Sequence, residues 1–272
     1  MSDSLDGATL SSVNPRLMPL SPFVRFRPAA PTPLVLTCEH ASARLPPTAA
    51  PRDGALRALL GTHWASDLGG WDLTRDVARR LEAPAVGARW SRLWIDLNRG
   101  VDEPDLVRAT VDGVPLPWNR GLSPARRARR VAADYAPYHH AIDTLLLQQL
   151  ARGRRPVVVA MHTFTPVYEG RERGFDLGVL FDRHVGPARR LSAGLRRAGF
   201  RVRANEPYSG KAGLMYSAEH HGAAHGLVCL EIEANQALLT SARQVARVGG
   251  AIAAALEQAA TAAMGSASLE SR

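Results

Sequence analysis

Two histidines stand directly beside apolar segments that have the composition of buried strands. His40 follows the segment Leu34 to Cys38, with Glu39 between, and His162 follows Val157 to Met161. Parallel strands end at a common edge of their sheet, where ligands bind, and neutral imidazole is a metal ligand. A lone histidine in such a position is more often a core or capping residue, but two at equivalent strand ends predict a metal site.

A carboxylate is the expected third ligand, and Asp67 in the run HWASD is the candidate. His63 lies four residues earlier, a spacing that on a helix points both side chains at one spot. The alternative is a local hydrogen-bonded pair on the helix surface. His63 could also bind the metal or orient Asp67, and Glu39 could contact the metal as well. Two histidines and one carboxylate leave a fourth position for water, which is the catalytic arrangement of zinc.

The carboxylate that moves protons is predicted in the segment LVCLEIE. Glu233 at its end is the first candidate for the general acid and base. Glu231 is the rival, because residues two apart on a strand share a face. The structural alternative is that Glu233 pairs with an arginine.

The run SRLWIDLNR predicts a strand from Leu93 to Leu97. Alternation places Arg92, Asp96 and Asn98 on one face, and a buried salt bridge between Arg92 and Asp96 is expected. Arg99 comes after the strand end, from where its guanidinium can bind a carboxylate through two hydrogen bonds or stabilise an oxyanion.

Two further segments carry candidates of weaker signal. Tyr208 and Lys211, the one lysine of the chain, lie in the loop sequence NEPYSGK, and loops concentrate binding residues. His220, His221 and His225 form a cluster, HHGAAH, whose spacing matches no trusted ligand rule.

The elements that must position these residues alternate between strands and helices. A fourth strand is predicted at Leu227 to Ile232. Helical spacing joins the residues Trp64, Leu68, Trp71, Ala78 and Leu81. Further helices are predicted at residues 125–150, interrupted near Pro137, at 187–198, and on the face of Leu238, Val245, Val248, Ile252 and Leu256. This order predicts an α/β fold with a mostly parallel sheet covered by helices on both faces. We expect one domain at 34–263, a flexible extension at 1–33 and a flexible tail at 264–272.

Composition narrows the function classes. The 272 residues carry a net charge of +9, but the arginines are spread along the chain and lack interleaved aromatic residues, so we expect no nucleic-acid partner. No apolar run is long enough for a signal peptide or a membrane span. The two cysteines are too few for a disulfide framework and favour the cytoplasm. A serine hydrolase is disfavoured because no G-x-S-x-G motif occurs.

Several runs in one order resemble the N-formylglutamate amidohydrolase family. They are CEHAS, HWASDLGGWDL, SRLWIDLNR, APYH, HTFTPVYEGRERGFDLGVLF, NEPYSGK and LEIEANQALL, and they extend from about residue 34 to 240. The resemblance implies a phosphorylase/hydrolase-like fold similar to that of zinc carboxypeptidases. It also implies hydrolysis of N-formyl-L-glutamate to formate and glutamate, a late step of histidine degradation.

Carried over residue by residue, the resemblance implies one zinc ion, or another divalent metal, on His40, Asp67 and His162, with Glu233 as acid and base. Arg99 supports the oxyanion. Substrate contacts are assigned to Arg92, Asn98, His139, Tyr208, Lys211 and His220.

The chain departs from the family pattern at two places. Asn235 stands where many relatives have arginine, and Arg171 to Gly174 stand where relatives often have RPW before the glycine-valine strand. The acyl amino acid therefore stays open. An amidohydrolase of a different N-acyl amino acid and a non-catalytic binder of an acidic metabolite are the alternatives.

Overall fold

A computed structural model describes residues 20–267, with side chains described as far as residue 259. The strands, in chain order, are β1 (Phe23–Phe26), β2 (Leu34–Cys38), β3 (Ala85–Ala88), β4 (Thr110–Val111), β5 (Val114–Pro115), β6 (Val157–Phe164), β7 (Val167–Tyr168), β8 (Arg171–Glu172), β9 (Leu177–Leu180), β10 (Val202–Ala204) and β11 (Cys229–Asn235).

The helices are α1 (Gly54–Leu59), α2 (Gly70–Arg80), α3 (Pro124–Arg130), α4 (Ala136–Leu150), α5 (Val185–Arg197), α6 (Tyr216–His225) and α7 (Ala242–Ala267). Short 3-10 turns lie at Pro47–Ala49, Pro104–Leu106, Gly210–Ala212 and Gln236–Leu238. None of the described helices combines the length and apolarity that a bilayer crossing requires.

Seven strands form the central sheet in the order β1-β3-β2-β6-β11-β9-β10. The four central strands β3, β2, β6 and β11 run parallel to one another. The flanking strands are antiparallel to them: β1 pairs with β3 and β9 pairs with β11 in antiparallel orientation. The four short strands form two hairpins outside this sheet. The predicted α/β fold with a mostly parallel sheet is confirmed.

Helices cover both faces of the sheet because its central strands are apolar on both sides. Leu34 and Leu36 of β2 pack in a core with α2, α5 and α7. Val35 packs in a second core with α4 and α6. All residues of β2, β6 and β11 are buried, as expected for parallel strands between two helical layers.

The helix predicted at residues 125–150 contains a change of winding. Between α3 and α4 the segment Val131–Tyr135 forms a π-helical turn, in which the Ala136 amide donates to the Val131 carbonyl five residues earlier. Arg130 stacks at 3.4 Å on the Trp94 ring and donates to the carbonyl oxygens of Trp94 and Trp118. The interruption predicted near Pro137 is therefore confirmed, and it lies just before that proline.

The strand predicted at Leu93 to Leu97 is wrong. The segment winds through turns, although its alternating apolar side chains are buried as a strand would bury them. Its backbone is satisfied locally and by side chains: Trp94 N donates to Ser91 O at 2.8 Å, and Trp118 Nε1 and Asn119 Nδ2 donate to Leu93 O. Strand β3, which sequence reasoning missed, pairs in parallel with β2.

The helix predicted from Trp64 onward begins only at Gly70, so His63 and Asp67 are not helical neighbours. Part of the predicted flexible extension, Phe23–Phe26, pairs with β3 in the sheet, and α7 continues to Ala267, beyond the predicted domain end. Residues 1–19 of the predicted extension and 268–272 of the predicted tail lie outside the described residues.

Candidate metal centre and catalytic cavity

The sheet register brings the central site residues onto one face. His162 lies inside β6, rather than after it, and is the direct partner of Glu233 in β11. Glu231 lies two residues earlier on the same face of β11, which is the face covered by α4 and α6. All three side chains therefore project from the same face of two adjacent strands in the middle of the sheet.

His40, Asp67 and His162 converge from three segments, and their ligand atoms lie within 4.8 Å of one another. His40 Nδ1 is 3.5 Å from Asp67 Oδ1, and His162 Nδ1 is 2.8 Å from Asp67 Oδ2. The Asp67 loop is fixed by two bonds: its amide donates to His40 O at 3.0 Å, and its Oδ2 accepts from the Thr163 amide at 3.1 Å. Tertiary hydrogen bonds, and not a helix, position this carboxylate.

Each histidine has a second carboxylate behind its other ring nitrogen. His40 Nε2 lies 2.8 Å from Asp96 Oδ1, and His162 Nε2 lies 3.0 Å from Glu39 Oε2. Glu39 in turn accepts from the Tyr138 hydroxyl at 3.0 Å. A carboxylate behind a histidine fixes the ring orientation and tautomer of metal ligands. Both Nδ1 atoms are thereby turned toward Asp67.

The charges of the cluster stabilise one another. Burial opposes a charge on His162, but the negative charge of Glu231, with Asp67 and Glu39, outweighs it and raises the His162 pKa well above its ordinary value. Burial likewise opposes ionisation of Asp67, yet His40 and His162 lower the Asp67 pKa. The Asp67 carboxylate is therefore anionic at neutral pH, as a carboxylate that binds a metal must be.

The donor set fits a divalent metal ion. His40 Nδ1 is buried and has no hydrogen-bond partner in the part of the chain that is described, which is a cost unless a ligand satisfies it. Two imidazole nitrogens and one carboxylate oxygen are typical of zinc sites that leave a position open. His63 lines the nearby cavity but does not belong to the converging group, and Glu39 contacts the far nitrogen of His162.

Two buried glutamates stand beside this cluster with raised pKa values. Burial raises the pKa of Glu231 to about 7 and that of Glu233 well above its ordinary value. In both residues Oε2 is buried and has no hydrogen-bond partner among the described residues, although Glu231 Oε2 lies 3.7 Å from His162 Nε2. Two buried carboxyl groups on one strand face share their charge, so at least one of them holds a proton near neutral pH. Such a group can exchange protons with a substrate.

A cavity of about 210 Å³ opens over the cluster and both glutamates. Arg92, Asn98, Arg99 and Tyr208, all predicted from the sequence, line it. Loop residue Tyr208 reaches the cavity because the loop passes tightly over Gly178 of β9, where a Cβ would overlap the carbonyl oxygen of Glu206. Three of the six predicted substrate-contact residues, together with Arg99, are thus brought to one cavity.

The predicted salt bridge between Arg92 and Asp96 is present, with Nη2 and Oδ2 3.0 Å apart. Arg99 donates from Nη1 to the Asn98 carbonyl at 2.8 Å, and its own carbonyl accepts from the Tyr135 hydroxyl at 2.9 Å. Asn98 Oδ1 accepts from the Ser217 amide in the first turn of α6 at 2.8 Å. The DLNR run is therefore held by several neighbours without a strand.

Three predicted substrate contacts, His139, Lys211 and His220, do not line the cavity. Lys211 and His220 are exposed. His139 instead bonds through Nδ1 to His221 Nε2 at 2.9 Å, and His221 bonds to Asp143 at 2.7 Å. His225 reaches the same Asp143 oxygen at 3.2 Å. We call the four residues His139, His221, His225 and Asp143 the histidine line.

Sequence reasoning missed several residues around the cavity. They are Trp64, Arg108, Val111, Thr163, Phe164, Thr165, Tyr168, Leu214 and Gln236. The run TFT directly after His162 could have predicted three of them. Residues that follow a candidate ligand at the end of a strand lie at the same edge of the sheet as that ligand.

Comparisons with known proteins agree with the family resemblance of the sequence motifs. The model of the N-formylglutamate amidohydrolase family matches residues 32–240. An N-formylglutamate deformylase of Pseudomonas aeruginosa is 28% identical over 177 residues, which is 57% of this chain and 62% of that relative, less than two thirds of its length.

Two solved structures share the fold. A gene product from Agrobacterium tumefaciens is 30% identical with a TM-score of 0.83, covering 90% of this chain and 96% of its own. An N-formylglutamate amidohydrolase from Ralstonia eutropha is 21% identical with a TM-score of 0.70, covering 90% and 100%. Because the family model spans most of the described sheet and every residue of the metal cluster, the chain belongs to the N-formylglutamate amidohydrolase family.

Proposed function

We propose that this protein is a zinc-dependent amidohydrolase that converts N-formyl-L-glutamate to formate and L-glutamate. The convergence of two imidazoles and one carboxylate beside two glutamates of raised pKa carries the proposal. Family membership supports an amide bond as the target. The deformylase name of the P. aeruginosa relative supports the formyl group and glutamate.

His40, Asp67 and His162 would hold the metal ion, and Asp96 and Glu39 would keep both rings oriented toward it. A zinc ion, when bound, supplies a Lewis acid and lowers the pKa of water from 15.7 to about 7. The orphaned His40 Nδ1 gains a partner in this arrangement.

Glu233 is the proposed proton carrier. Its unpartnered Oε2 accepts the proton that water loses on attack at the formyl carbon, and it returns that proton to the departing amine nitrogen as the C–N bond breaks. A raised pKa suits both steps, because a strongly acidic carboxyl would not accept the proton. Glu231 is the alternative for the same role.

Arg99 lines the cavity and is the proposed support for negative charge that develops on the formyl oxygen. Its backbone carbonyl is held by Tyr135, so the segment is fixed before substrate binds. Arg92 is already paired with Asp96 and serves to keep that carboxylate, and hence the His40 ring, in place.

Metal analysis and a deformylation assay test the proposal. We expect one equivalent of zinc per chain and release of formate and glutamate in equal amounts from N-formyl-L-glutamate. Removal of the metal with a chelator should abolish turnover, and added zinc should restore it. A protein that binds the substrate but releases no formate at any zinc level would instead be a binder, and the proposal would fail.

A further inference from the structure

Arg173 is an arginine beside the cavity whose charge has no carboxylate within 4.0 Å among the described residues. The three arginines that line the cavity itself, Arg92, Arg99 and Arg108, differ in this respect. Arg92 lies 3.0 Å from Asp96, Arg108 lies 3.0 Å from Asp105, and the nearest acid to Arg99 is Glu103 at 3.7 Å. In addition, Arg173 Nη1 is buried without a hydrogen-bond partner. A buried, unpaired guanidinium nitrogen is costly unless a ligand satisfies it.

Three aromatic rings hold the guanidinium of Arg173. Its Cζ lies 4.9 Å from the Tyr168 ring centroid, 5.4 Å from Tyr208 and 5.7 Å from Phe164. All three rings line the cavity. Contacts between a cation and ring faces orient the guanidinium, and its Nη1, which has no hydrogen-bond partner among the described residues, is available to bind an anion.

The hairpin of β7 and β8 positions Tyr168 and Arg173 next to each other. Its turn residues Glu169 and Gly170 both have positive φ, 50° and 74°, as a two-residue turn of a tight hairpin requires. Arg173 follows directly, and its amide donates to Pro166 O at 2.8 Å across the base of the hairpin. The backbone of Arg173 is therefore fixed relative to Tyr168.

The position of these rings indicates which end of the substrate meets Arg173. The metal-binding residues are 3–7% exposed at the cavity floor, whereas Tyr168 and Tyr208 are 38% and 39% exposed at its rim. An N-formylglutamate whose amide lies at the floor extends its side chain toward the rim. Arg99, at 16% side-chain exposure, lies deeper and is nearer to the groups around the amide.

We propose that Arg173 is the specificity-determining residue that binds the side-chain carboxylate of an acidic N-acyl amino acid. This inference rests on the proposed function and adds to it the reason for a dicarboxylate substrate. The substrate carboxylate neutralises the positive charge of Arg173 and accepts a hydrogen bond from Nη1. The rings of Tyr168 and Tyr208 pack against the methylene groups of the substrate.

The test compares Arg173→Gln with the matched control Arg171→Gln, an exposed arginine of the same hairpin. Zinc-loaded proteins are assayed with N-formyl-L-glutamate and with N-formyl-L-glutamine, which has the same shape and no side-chain charge. We expect Arg173→Gln to lower kcat/KM for the glutamate substrate by about 10- to 100-fold, mainly through KM, as the loss of a charge-assisted hydrogen bond does. The glutamine substrate and the Arg171→Gln protein should change little. Equal losses on both substrates would overturn the proposal.

A binding measurement separates failure of this proposal from failure of the proposed function. Glutarate carries two carboxylates and no amide, so calorimetry of glutarate with the zinc-loaded protein does not depend on hydrolysis. We expect Arg173→Gln to weaken glutarate binding at least about 10-fold and Arg173→Lys to weaken it less, since lysine keeps the charge but not the planar fork. Absent glutarate binding to the unmodified protein, or unchanged binding to Arg173→Gln, would overturn the assignment even if deformylation is observed.

Discussion

The metal cluster and the histidine line use the same residue types in two different arrangements. In the metal cluster, ligand atoms of His40, Asp67 and His162 meet around one point within 4.8 Å. In the histidine line, His139, His221 and Asp143 follow one another through single hydrogen bonds of 2.9 and 2.7 Å. Convergence, rather than composition, distinguishes a site that can hold an ion from a chain that links two helices.

The charges around the two regions differ as well. His162 is surrounded by Glu39, Asp67 and Glu231, which raise its pKa. His139 has no carboxylate bonded to it directly: burial, with the nearby His221, lowers the His139 pKa to about 3. The metal cluster therefore favours cations, whereas His139 stays neutral and makes a bond that needs one donor nitrogen and one acceptor nitrogen.

The largest expected difference between the two regions appears when the aspartate of each is replaced by asparagine. Asp67→Asn should weaken zinc binding at least about 100-fold, because loss of an outer residue alone often costs that much, and turnover should fall with it. Asp143→Asn should leave zinc content unchanged. Zinc titration of both proteins measures this difference, and comparable zinc loss in the two variants would contradict the distinction between the regions.

The glutamates that border the metal cluster provide the next effect. Glu233→Gln should lower kcat by roughly 10²- to 10⁴-fold, the usual contribution of a proton-transfer residue, with zinc content preserved. Glu231→Gln should lower kcat less, because it leaves the proposed proton carrier Glu233 in place and removes only a neighbouring carboxyl group. Steady-state kinetics together with metal analysis measures both, and a larger loss in Glu231→Gln would exchange the two roles.

The lowered pKa of His139 should make the free energy of unfolding decrease at acid pH. The unfolded chain protonates this residue below about pH 6.5, whereas the folded protein does so only near pH 3. Since the unfolded state binds more protons between these values, stability contributed by the neutral ring is lost as pH falls, by at most about 1.4 kcal/mol per pH unit. Urea unfolding from pH 7.5 to 4.5 should show a shallower decline for His139→Gln. Parallel declines would refute the pKa assignment.

The smallest effect concerns a residue that lies between the cavity residue Arg99 and the histidine line. The Tyr135 ring lies 4.2 Å from the His139 ring at an angle of 45°, while its hydroxyl donates to Arg99 O at 2.9 Å and accepts a hydrogen bond from the Tyr216 hydroxyl at 3.1 Å. Tyr135→Phe should lower the free energy of unfolding by about 1 kcal/mol, as the loss of a hydrogen bond does. Tyr216→Phe, which preserves the bond to Arg99, should cost less. Chemical denaturation of both variants gives the comparison.

The sequence identified the histidines of the candidate metal cluster because His40 and His162 lie at or near the ends of strongly apolar strands. It assigned the wrong local structure to Asp67: the spacing from His63 suited a helix, but bonds from Thr163 and to His40 determine the actual position. Such contacts join residues far apart in the chain, and no local pattern contains them.

The Leu93 to Leu97 segment shows the limit of alternation as a signal. Apolar side chains at every second position became buried, as expected, but side chains of Trp118 and Asn119 satisfy a backbone that forms no strand. Arg173 was missed as a binding residue for a different reason. One arginine in an arginine-rich chain carries no signal until three rings are found around it.

The π-helical turn at Val131–Tyr135 accommodates one residue more than an α-helical turn would. Each residue of an α-helix advances the side-chain direction by about 100°, so winding the same residues as a regular α-helix would rotate α4 relative to α3 by that angle. Arg130 could then remain on Trp94 only if Tyr135 and His139 turned away from Arg99 and His221. The wider turn therefore lets one helical segment hold the wall of the cavity and the helix pair behind it at the same time.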